Sequence, residues 1–448
     1  MRERSAPVIT IVGGGSVHWS PTIVNDLLLT EALDGAEIRL FDTNLEAAER
    51  IEAFSRMLAG RYDSRTRFVA TDSEETAYAG TDYVIITIST GGFPAMRNDI
   101  EIPEKYGILQ TVGDTVGPGG WNRALRNIPV FQQMARDIEA HSGDAVVLNY
   151  SNPMALLTQT LTENSSLRVT GLCHGIFSAM DMFALLLDAP KESIKVEFAG
   201  TNHFFFITSA RVNGQDGYAI LAEKLAGMTL AEFIESKDVE GFELYPTMRI
   251  GSEFYHQCGY IPYPGDRHTC EFVSGYLNAG EARTEEYAIK RTKVDDRIER
   301  RKKRTERCEA WISGDEEFDA PRSRETAASI IEAIHTNGWL VDDLNLVNTG
   351  QISNLPRGVV VETLGVAGPL GFRAATYGRL PRAIASMTVP HCINQQLIMT
   401  AASTGDRAAA YSALANDPLL SHLSPTGKRS LFEELMRANS PWLPEGLR

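Results

Sequence analysis

Hydrophobic residues form short continuous runs along the first two hundred positions of the chain. Between these runs the apolar spacing changes to three and four, as in LEAAERIEAFSRMLAGR and NRALRNIPVFQQMARDIEAHS, which predicts helices. Continuous apolar strands are typical of a sheet covered on both faces, so the pattern predicts an α/β fold with a doubly wound parallel sheet. The runs that predict strands are VITIVGG, EIRLFD, RFVATD, DYVIITIS, DAVVLNYSNP and RVTGLC.

The pattern changes after Val196. The segment KVEFAGTNHFFFITSARVNGQDGYAI predicts a hairpin with its turn at Asn213 and Gly214, and long helical segments follow without regular strand alternation. A domain boundary is therefore expected near residue 195. It separates a parallel-sheet domain of residues 1–195 from a mixed α+β domain of residues 196–448.

Composition and charge narrow the choice of partners. The chain has 448 residues, of which 43% are hydrophobic, and its formal net charge is −15. A folded protein is therefore expected, and the negative charge argues against binding to nucleic acid or to an anionic lipid surface. The basic run RIERRKKRTER at residues 297–307 predicts a solvated helix face.

The amino terminus and the cysteines indicate the compartment. MRERSAPVITIVGGGS lacks the apolar core of a secretion signal, and no apolar run has the length of a membrane span. An odd number of cysteines without a C-x-x-C pair argues against a disulfide framework, so a cytoplasmic protein is expected. The cysteines are Cys173, Cys258, Cys270, Cys308 and Cys392.

A glycine-rich turn follows the first predicted strand, and such turns let the pyrophosphate of a dinucleotide approach the backbone. His18 occupies the position of the third glycine in the usual G-x-G-x-x-G pattern. Asp42 ends the second strand, where it would hydrogen-bond a ribose and repel a 2′-phosphate, which favours NAD over NADP. A tight structural turn is the alternative. The candidate cofactor contacts of the turn are Gly13, Gly14, Gly15 and Ser16.

Polar residues also end the later strands, where ligands of open α/β sheets bind. Cys173 and His174 follow the sixth strand, and His203 lies in a polar notch before the apolar run FFFI. If Cys173 and His203 converge, a thiolate and an imidazole would form a two-point site for a divalent metal. A small buried thiol and a core histidine bonded to a carbonyl are the alternatives.

Seven motifs together resemble the NAD- and divalent-metal-dependent glycosidases of glycoside hydrolase family 4. They extend in order from residue 11 to about residue 363. The family resemblance implies a Rossmann-like first domain, akin to lactate and malate dehydrogenases, followed by a substrate and metal domain. The motifs are GGGSVHWSP, TGGFPAMRNDIEIPEKYGI, GDTVGPGGWNRALRNIPV, NYSNPMALLT, CHGI, GTNHFFFI and NTGQISNLPRGVVVET.

The resemblance implies a hydrolysis that passes through redox steps. In that scheme NAD takes a hydride from C3 of the sugar, a base removes the C2 proton, and the aglycone leaves by elimination. Water then adds and the hydride returns, so these enzymes depart from the two-carboxylate scheme. The implied cofactors are NAD and Mn²⁺ or another divalent metal. A homodimer or homotetramer is also expected.

Five positions match functional residues of the family. Cys173 and His203 match its metal ligands, where the ion would polarise the C2 and C3 oxygens. Asn152 matches an asparagine that holds the sugar hydroxyls, and Arg97 matches a substrate-side arginine. Asp114 aligns with an acidic residue near the leaving group and is the candidate acid, with a capping or turn aspartate as the alternative.

The base that removes the C2 proton is a tyrosine in some members and an aspartate in others. In YIPYPGDRHTCEF we favour Asp266, because a carboxylate beside a metal-polarised C2 has little pKa mismatch to overcome. Tyr260, Tyr263 and His268 are its rivals.

The residues after the cysteine indicate the substrate. Cys173-His174-Gly175 resembles the α-glucuronidase and α-galacturonidase subgroup, with His174 as a further catalytic candidate and Gly175 making room beside C6. The resemblance therefore predicts an α-uronidase. An α-glucosidase or α-galactosidase of the same family, a 2-hydroxy-acid dehydrogenase and an inactive NAD-binding regulator remain as alternatives.

Overall fold

The computed structural model describes residues 6–237 and 248–448, so the first five residues of the charged amino terminus lie outside it. Six parallel strands form the first half of the sheet in the order β3-β2-β1-β4-β5-β6. Each lies within one of the predicted runs. They are β1 (Val8–Val12), β2 (Glu37–Phe41), β3 (Arg67–Thr71), β4 (Tyr83–Ile86), β5 (Val146–Asn149) and β6 (Arg168–Gly171).

Helices connect these strands and cover both faces of the sheet. The two helices predicted from apolar spacing are present, and one begins and ends where its segment does. The helices of this half are α1 (Ser20–Leu28), α2 (Leu45–Arg61), α3 (Glu74–Tyr78), α4 (Gly92–Glu104), α5 (Gly117–His141), α6 (Met154–Glu163) and α7 (Gly175–Leu187).

Alternate residues of the central strands enter two different cores. Ile9 and Ile11 of β1 join a buried cluster with residues of α1 and α2, whereas Val12 and Val84 join one with residues of α5. Successive side chains of a strand point to opposite faces, so strands that are apolar throughout need a covered sheet on both sides. This confirms the predicted α/β fold.

The second half extends the same sheet with antiparallel strands. Beyond β6 the strand order is β11-β12-β7-β8-β10. Two short strands lie off this path, since β9 pairs with β8 and β13 pairs with β12, which gives a 13-stranded sheet. No break in the sheet marks the expected boundary near residue 195, which stays a prediction. The strands are β7 (Ile194–Thr201), β8 (Phe204–Val212), β9 (Gln215–Asp216), β10 (Ile261–Pro262), β11 (Leu340–Val347), β12 (Val360–Gly368) and β13 (Gly371–Ala374).

The main hairpin of this half turns earlier than the sequence predicts. β7 and β8 pair from Thr201 and Phe204 outward, and the turn between them holds His203 at φ +64°. The predicted turn at Asn213 and Gly214 exists, with φ +50° and +85°, but it joins β8 to the two-residue β9. The Asn-Gly signal marked a real turn at the far end of β8.

Ten further helices are described in the second half, and many of them pack around the hairpin and the first-half helices. No helix in the described ranges is long and apolar enough to cross a membrane. The helices are α8 (Gly217–Leu225), α9 (Leu230–Glu235), α10 (Arg249–Cys258), α11 (Asp266–Thr269), α12 (Glu281–Glu286), α13 (Val294–Ser313), α14 (Ala327–His335), α15 (Arg382–Thr404), α16 (Arg407–Ala415) and α17 (Pro425–Asn439).

Candidate active site

A cleft of about 640 Å³ lies beside the carboxyl ends of the parallel strands. Gly15 and Ser16 after β1 and Asp42 after β2 form one wall, and His268 of α11 and part of α13 form the opposite wall. The volume suits a small-molecule site, and the position is the one that open α/β sheets use.

The turn after β1 is held against β2 by its own amides. The N–H groups of Gly13 and Gly14 both donate to the carbonyl oxygen of Phe41 at 2.9 Å. A Cβ on Gly13, which has φ +84°, would lie 2.8 Å from Thr87 Oγ1, and one on Gly14 would lie 2.6 Å from Leu40 Cα. Both positions therefore require glycine.

Asp42 lies directly against this turn. Its Oδ2 accepts the N–H of Gly15 at 3.1 Å, and its Oδ1 accepts the N–H of Asn44 at 2.9 Å. Gly15, Ser16 and Asp42 all line the cleft, which brings the predicted pyrophosphate and ribose contacts to one wall. These roles stay predictions, and the geometry is that of a dinucleotide site.

Three ligand-type side chains meet deeper in the site. One ligand atom each from Asp114, His203 and His268 lies within 4.8 Å of the others. Asp114 comes from the loop before α5, His203 from the β7–β8 turn, and His268 from α11, where its ring centroid is 3.9 Å from that of His203. A carboxylate and two imidazoles suit Mn²⁺ and similar divalent ions.

Hydrogen bonds orient the His203 ring. The Thr115 hydroxyl donates to Asp114 Oδ1 at 2.7 Å, so its oxygen can accept the Nδ1–H of His203 at 2.8 Å. Burial lowers the pKa of His203 well below its ordinary value, which keeps the ring neutral. The lone pair of His203 Nε2 is then available to a metal, as in many metal-bound histidines.

Asp114 lies beside the buried Arg123 guanidinium and the two imidazole rings. Burial alone would raise the pKa of its carboxyl, but His268, His203 and Arg123 lower the pKa well below the usual range. Asn152 Nδ2 lies 3.4 Å from Asp114 Oδ2, and Asn152 Oδ1 is buried without a partner among the described residues. An ionised Asp114 can bind a cation or accept a proton. This setting argues against the predicted acid role, which stays untested.

Glu271 fixes the loop that carries Asp114. Its Oε1 accepts the backbone N–H groups of Thr111, Val112 and Gly113, each at 2.9 Å. Burial raises the pKa of Glu271 to about 7. No local pattern around Glu271 indicates this role, because the three amides lie about 160 positions away.

Glu271→Gln should change how the free energy of unfolding depends on pH. With a folded-state pKa above the unfolded one, the wild-type Glu271 contributes most to stability at low pH and loses this contribution as the pH rises through about 7. Between pH 5 and 7 the wild type should lose about 2–3 kcal/mol relative to the variant, whose amide does not titrate. Urea denaturation at both pH values measures this. The exposed Glu285→Gln is the control, and parallel pH profiles would contradict the prediction.

Cys173 follows β6 and lies beside the β7–β8 turn. Its thiol contacts the side chain of Asn202, and it is not part of the Asp114 cluster. Burial, Glu362 and Asp343 raise the pKa of the thiol well above its usual value, so a bound cation would be needed to hold a thiolate here. Asn202 Nδ2 also donates to Glu362 Oε2 at 3.0 Å. The structure thus brings Cys173 next to the residue that precedes His203.

Two carboxyl groups lie buried beside Cys173 and were not found from the sequence. Burial and Glu362 raise the pKa of Asp343 well above its ordinary range, and burial raises that of Glu362 to about 7. The two carboxyl groups contact each other, so burial favours a proton between them.

The residues after Cys173 are also held in place. His174 Nδ1 lies 3.2 Å from Glu325 Oε1, and this hydrogen bond raises the pKa of His174. A Cβ on Gly175 would lie 2.1 Å from Cε2 of Tyr263. Gly175 therefore makes room for a tyrosine ring of the protein, whereas the sequence suggested room for the C6 end of a sugar.

Asp266 caps a helix. Its two carboxyl oxygens accept the N–H groups of Ile250 and Gly251 at 2.9 Å, at the start of α10, and burial raises its pKa to about 6. Asp266 is not among the residues that line the described cleft, whereas its rival His268 is. Tyr263 is buried with its ring 5.5 Å from that of His203.

Arg97 points to other side chains of the protein. It forms ion pairs with Glu101 and Asp295. Its predicted contact with substrate would have to compete with these carboxylates.

The basic run at residues 297–307 forms part of α13 and has two faces. Lys302 and Lys303 are exposed, as predicted for a solvated face. Arg300, Arg301 and Arg304 on the other face are exposed as well, but this face also lines the cleft, which was not predicted. The spacing of three, four and seven, which places residues on one side of a helix, was the missed signal. The cleft-lining residues of this face are Arg297, Arg300, Arg301, Arg304 and Thr305.

The sequence model of the family 4 glycosyl hydrolases matches residues 8–189, and that of their C-terminal domain matches residues 198–420. The chain belongs to glycosyl hydrolase family 4. This membership confirms the resemblance and argues against the dehydrogenase and regulator alternatives. The matched regions include the glycine turn, Asp114, Cys173, His203 and His268.

Curated family 4 relatives match over almost the whole chain. An alpha-galacturonidase from Thermoanaerobacterium saccharolyticum is 33% identical, covering 97% of this chain and 96% of its own length. An alpha-galactosidase from Bacillus subtilis is 31% identical, covering 98% of this chain and 99% of its own. Relatives of similar identity therefore differ in the sugar they act on.

Solved structures share the fold of this family 4 chain. A 6-phospho-alpha-glucosidase from gut microorganisms, solved with NAD and Mn²⁺, has a TM-score of 0.82 at 22% identity and covers 98% of this chain and 100% of its own. A malate dehydrogenase from Plasmodium falciparum has a TM-score of 0.50 at 13% identity, covering 91% and 99%. The dehydrogenase-like fold predicted from the sequence is confirmed.

Proposed function

We propose that this family 4 glycosyl hydrolase is an NAD- and divalent-metal-dependent α-uronidase that hydrolyses α-galacturonides or α-glucuronides. The observation that carries the proposal is the positive wall of the cleft. In a chain of net charge −15, six arginines line the same cleft as the glycine turn and His268. A cationic wall of this kind suits a negatively charged sugar, and alpha-galacturonidases stand among the relatives.

The residues of the site fit both cofactors. Gly15, Ser16 and Asp42 would hold NAD, and His203 and Asp114 would hold the metal together with the predicted ligand Cys173, which leaves the lone pair of His268 free. When bound, NAD would take and return the hydride at C3, and the metal would polarise the oxygens on C2 and C3.

The protein's own groups then position the sugar and move protons. The buried, unpartnered Oδ1 of Asn152 can accept a sugar hydroxyl, in keeping with its predicted role. For removal of the C2 proton, His268 is better placed than Asp266, because the amides of α10 occupy both oxygens of Asp266. Burial lowers the pKa of His268 to about 4, so its ring is neutral and able to accept a proton.

The substrate preference tests the proposal. With NAD, Mn²⁺ and a thiol reductant present, 4-nitrophenyl α-galacturonide or α-glucuronide should exceed the matching neutral glycoside in kcat/KM by at least about tenfold, the value of one charge-assisted contact. No NADH should accumulate, because the hydride returns.

Other outcomes would separate the alternatives. Equal or better turnover of neutral α-glycosides would contradict the uronidase and support an α-glucosidase or α-galactosidase. A requirement for a 6-phosphate would contradict both. Growth of NADH in proportion to substrate would indicate a dehydrogenase.

We also propose that the enzyme is a cytoplasmic homodimer or homotetramer that acts on a small-molecule glycoside. Light scattering coupled to size-exclusion chromatography measures the oligomeric state.

A further inference from the structure

Six arginines line the cleft. Arg50 pairs with Glu46 and Glu309, whereas the other five have no acidic partner among the described residues. In the described part of the chain, none of the five forms an ion pair with a carboxylate within 4.0 Å, although neighbouring Arg97 and Arg291 do. Unpaired guanidinium groups concentrated on one wall of a cleft indicate an anionic ligand. The five are Arg267, Arg297, Arg300, Arg301 and Arg304.

These arginines fall into an outer and an inner set. In the outer set, Arg304 contacts His18 at the glycine turn, Arg301 lies over the Phe93 ring with 5.3 Å between guanidinium carbon and ring centroid, and Arg300 is exposed. The contact between Arg304 and His18 places the outer set beside the predicted pyrophosphate contacts of the glycine turn.

The inner set is Arg267 and Arg297. Arg267 precedes His268 in α11 and donates to Thr292, and Arg297 donates through Nη2 to the carbonyl oxygen of Val112 at 2.9 Å. Arg297 lies within electrostatic range of Arg267. Arg267 is next to His268 in α11, and Arg297 contacts the loop that carries Asp114. Both arginines therefore lie beside the cluster of Asp114, His203 and His268.

Each inner arginine keeps a buried donor unused. The Nε–H groups of Arg267 and Arg297 are buried and have no acceptor in the described ranges. A buried guanidinium donor without an acceptor costs free energy, so such groups indicate a ligand that completes them. A planar carboxylate can accept from Nε and a terminal nitrogen of one guanidinium at the same time.

We propose that Arg267 and Arg297 form the subsite for the C6 carboxylate of the sugar and so determine the preference for uronides. This inference rests on the proposed α-uronidase function. It assigns the carboxylate to the inner arginines and not to Arg97, which is predicted only to be a substrate-side arginine and whose guanidinium is already paired with Glu101 and Asp295.

The experiment compares Arg267→Gln and Arg297→Gln with the wild type. For each protein, kcat/KM is measured for 4-nitrophenyl α-galacturonide and 4-nitrophenyl α-galactoside. The uronide value should fall at least about tenfold in either variant, as expected for loss of a charge-assisted contact, while the galactoside value changes less than about threefold. Lys303→Gln, on the exposed face of the same helix and outside the cleft, is the matched control and should keep the wild-type ratio.

Two binding measurements accompany the kinetics. The Kd for NAD should stay within about threefold of wild type in the inner variants, since the cofactor contacts lie at the glycine turn. Galacturonate should raise the Tm of NAD-loaded wild type more than galactose does, and this difference should vanish in both variants. A variant that binds NAD normally is folded, so its kinetics remain interpretable.

The outcomes distinguish this inference from the function on which it rests. A wild type without uronide preference would contradict the α-uronidase. A wild-type preference that both inner variants retain would overturn the arginine subsite alone. Equal losses for both substrates would also overturn it, and so would a tenfold weaker Kd for NAD, which would assign these arginines to the cofactor phosphates.

Discussion

Replacing His203 with alanine is expected to lower kcat/KM more than about a hundredfold, because even changes to outer-shell partners of a metal ligand cost 10–100-fold. His203 shares the Asp114 cluster with His268 and lies one residue from the Asn202 side chain that contacts Cys173. Its loss should therefore weaken Mn²⁺ binding, measured by titration of the apoprotein. The Kd for NAD should change little, because the glycine turn belongs to the opposite wall.

The exposed His256→Ala variant on α10 is the control and should keep wild-type rates. The assignment would be wrong if His203→Ala turned over substrate at the wild-type rate in chelator-treated buffer. If His203→Ala weakens Mn²⁺ binding but keeps the wild-type kcat/KM at saturating metal, His203 contributes to binding the metal and not to the later steps of the reaction.

The second large effect is expected for Asp114→Asn. The substitution removes a carboxylate that faces His268, His203 and Arg123, and it leaves Asp99 as the remaining opposite charge near the buried Arg123. We expect kcat to fall more than about a hundredfold, with weaker binding of Mn²⁺. Steady-state kinetics over a range of Mn²⁺ concentrations measures both effects.

Asp137→Asn, half-buried on α5 and outside the cleft, serves as the matched control. Full activity of Asp114→Asn would exclude Asp114 both as a metal ligand and as a group that transfers protons. Asp114 would not belong to the metal site if Asp114→Asn lowered the Tm only as much as the control does and bound Mn²⁺ with normal affinity.

The local sequence pattern was sufficient to predict most strands and helices of the parallel half of the sheet. Each central strand is apolar on both faces, so its position follows from the run itself, and Ile9 and Val12 enter opposite cores as expected. The hairpin was harder, because the Asn213-Gly214 signal is local while the pairing of β8 with β7 depends on residues on the other side of His203. Turn chemistry identifies a turn without identifying its partner strands.

In the candidate site, too, some features could be predicted from the local sequence and others could not. The glycine turn and Asp42 lie close in the sheet because adjacent parallel strands end at one edge, and this could be predicted. The Glu271 contact with the loop before Asp114 could not, because it joins distant segments. The arginine face of α13 lay within a run of mixed charge, and only the packing of that helix over the cleft shows which arginines line it.

The order of the strands has a consequence for synthesis of the chain. The edge of β6 is covered by β11, and Gly171 pairs with Asn345, which leaves the ribosome 174 residues later. At about 5–20 residues per second, that edge stays open for roughly 10–35 s. An unpaired strand edge exposed for this time invites pairing with other nascent chains, so the protein should depend on chaperone capacity when it is expressed rapidly.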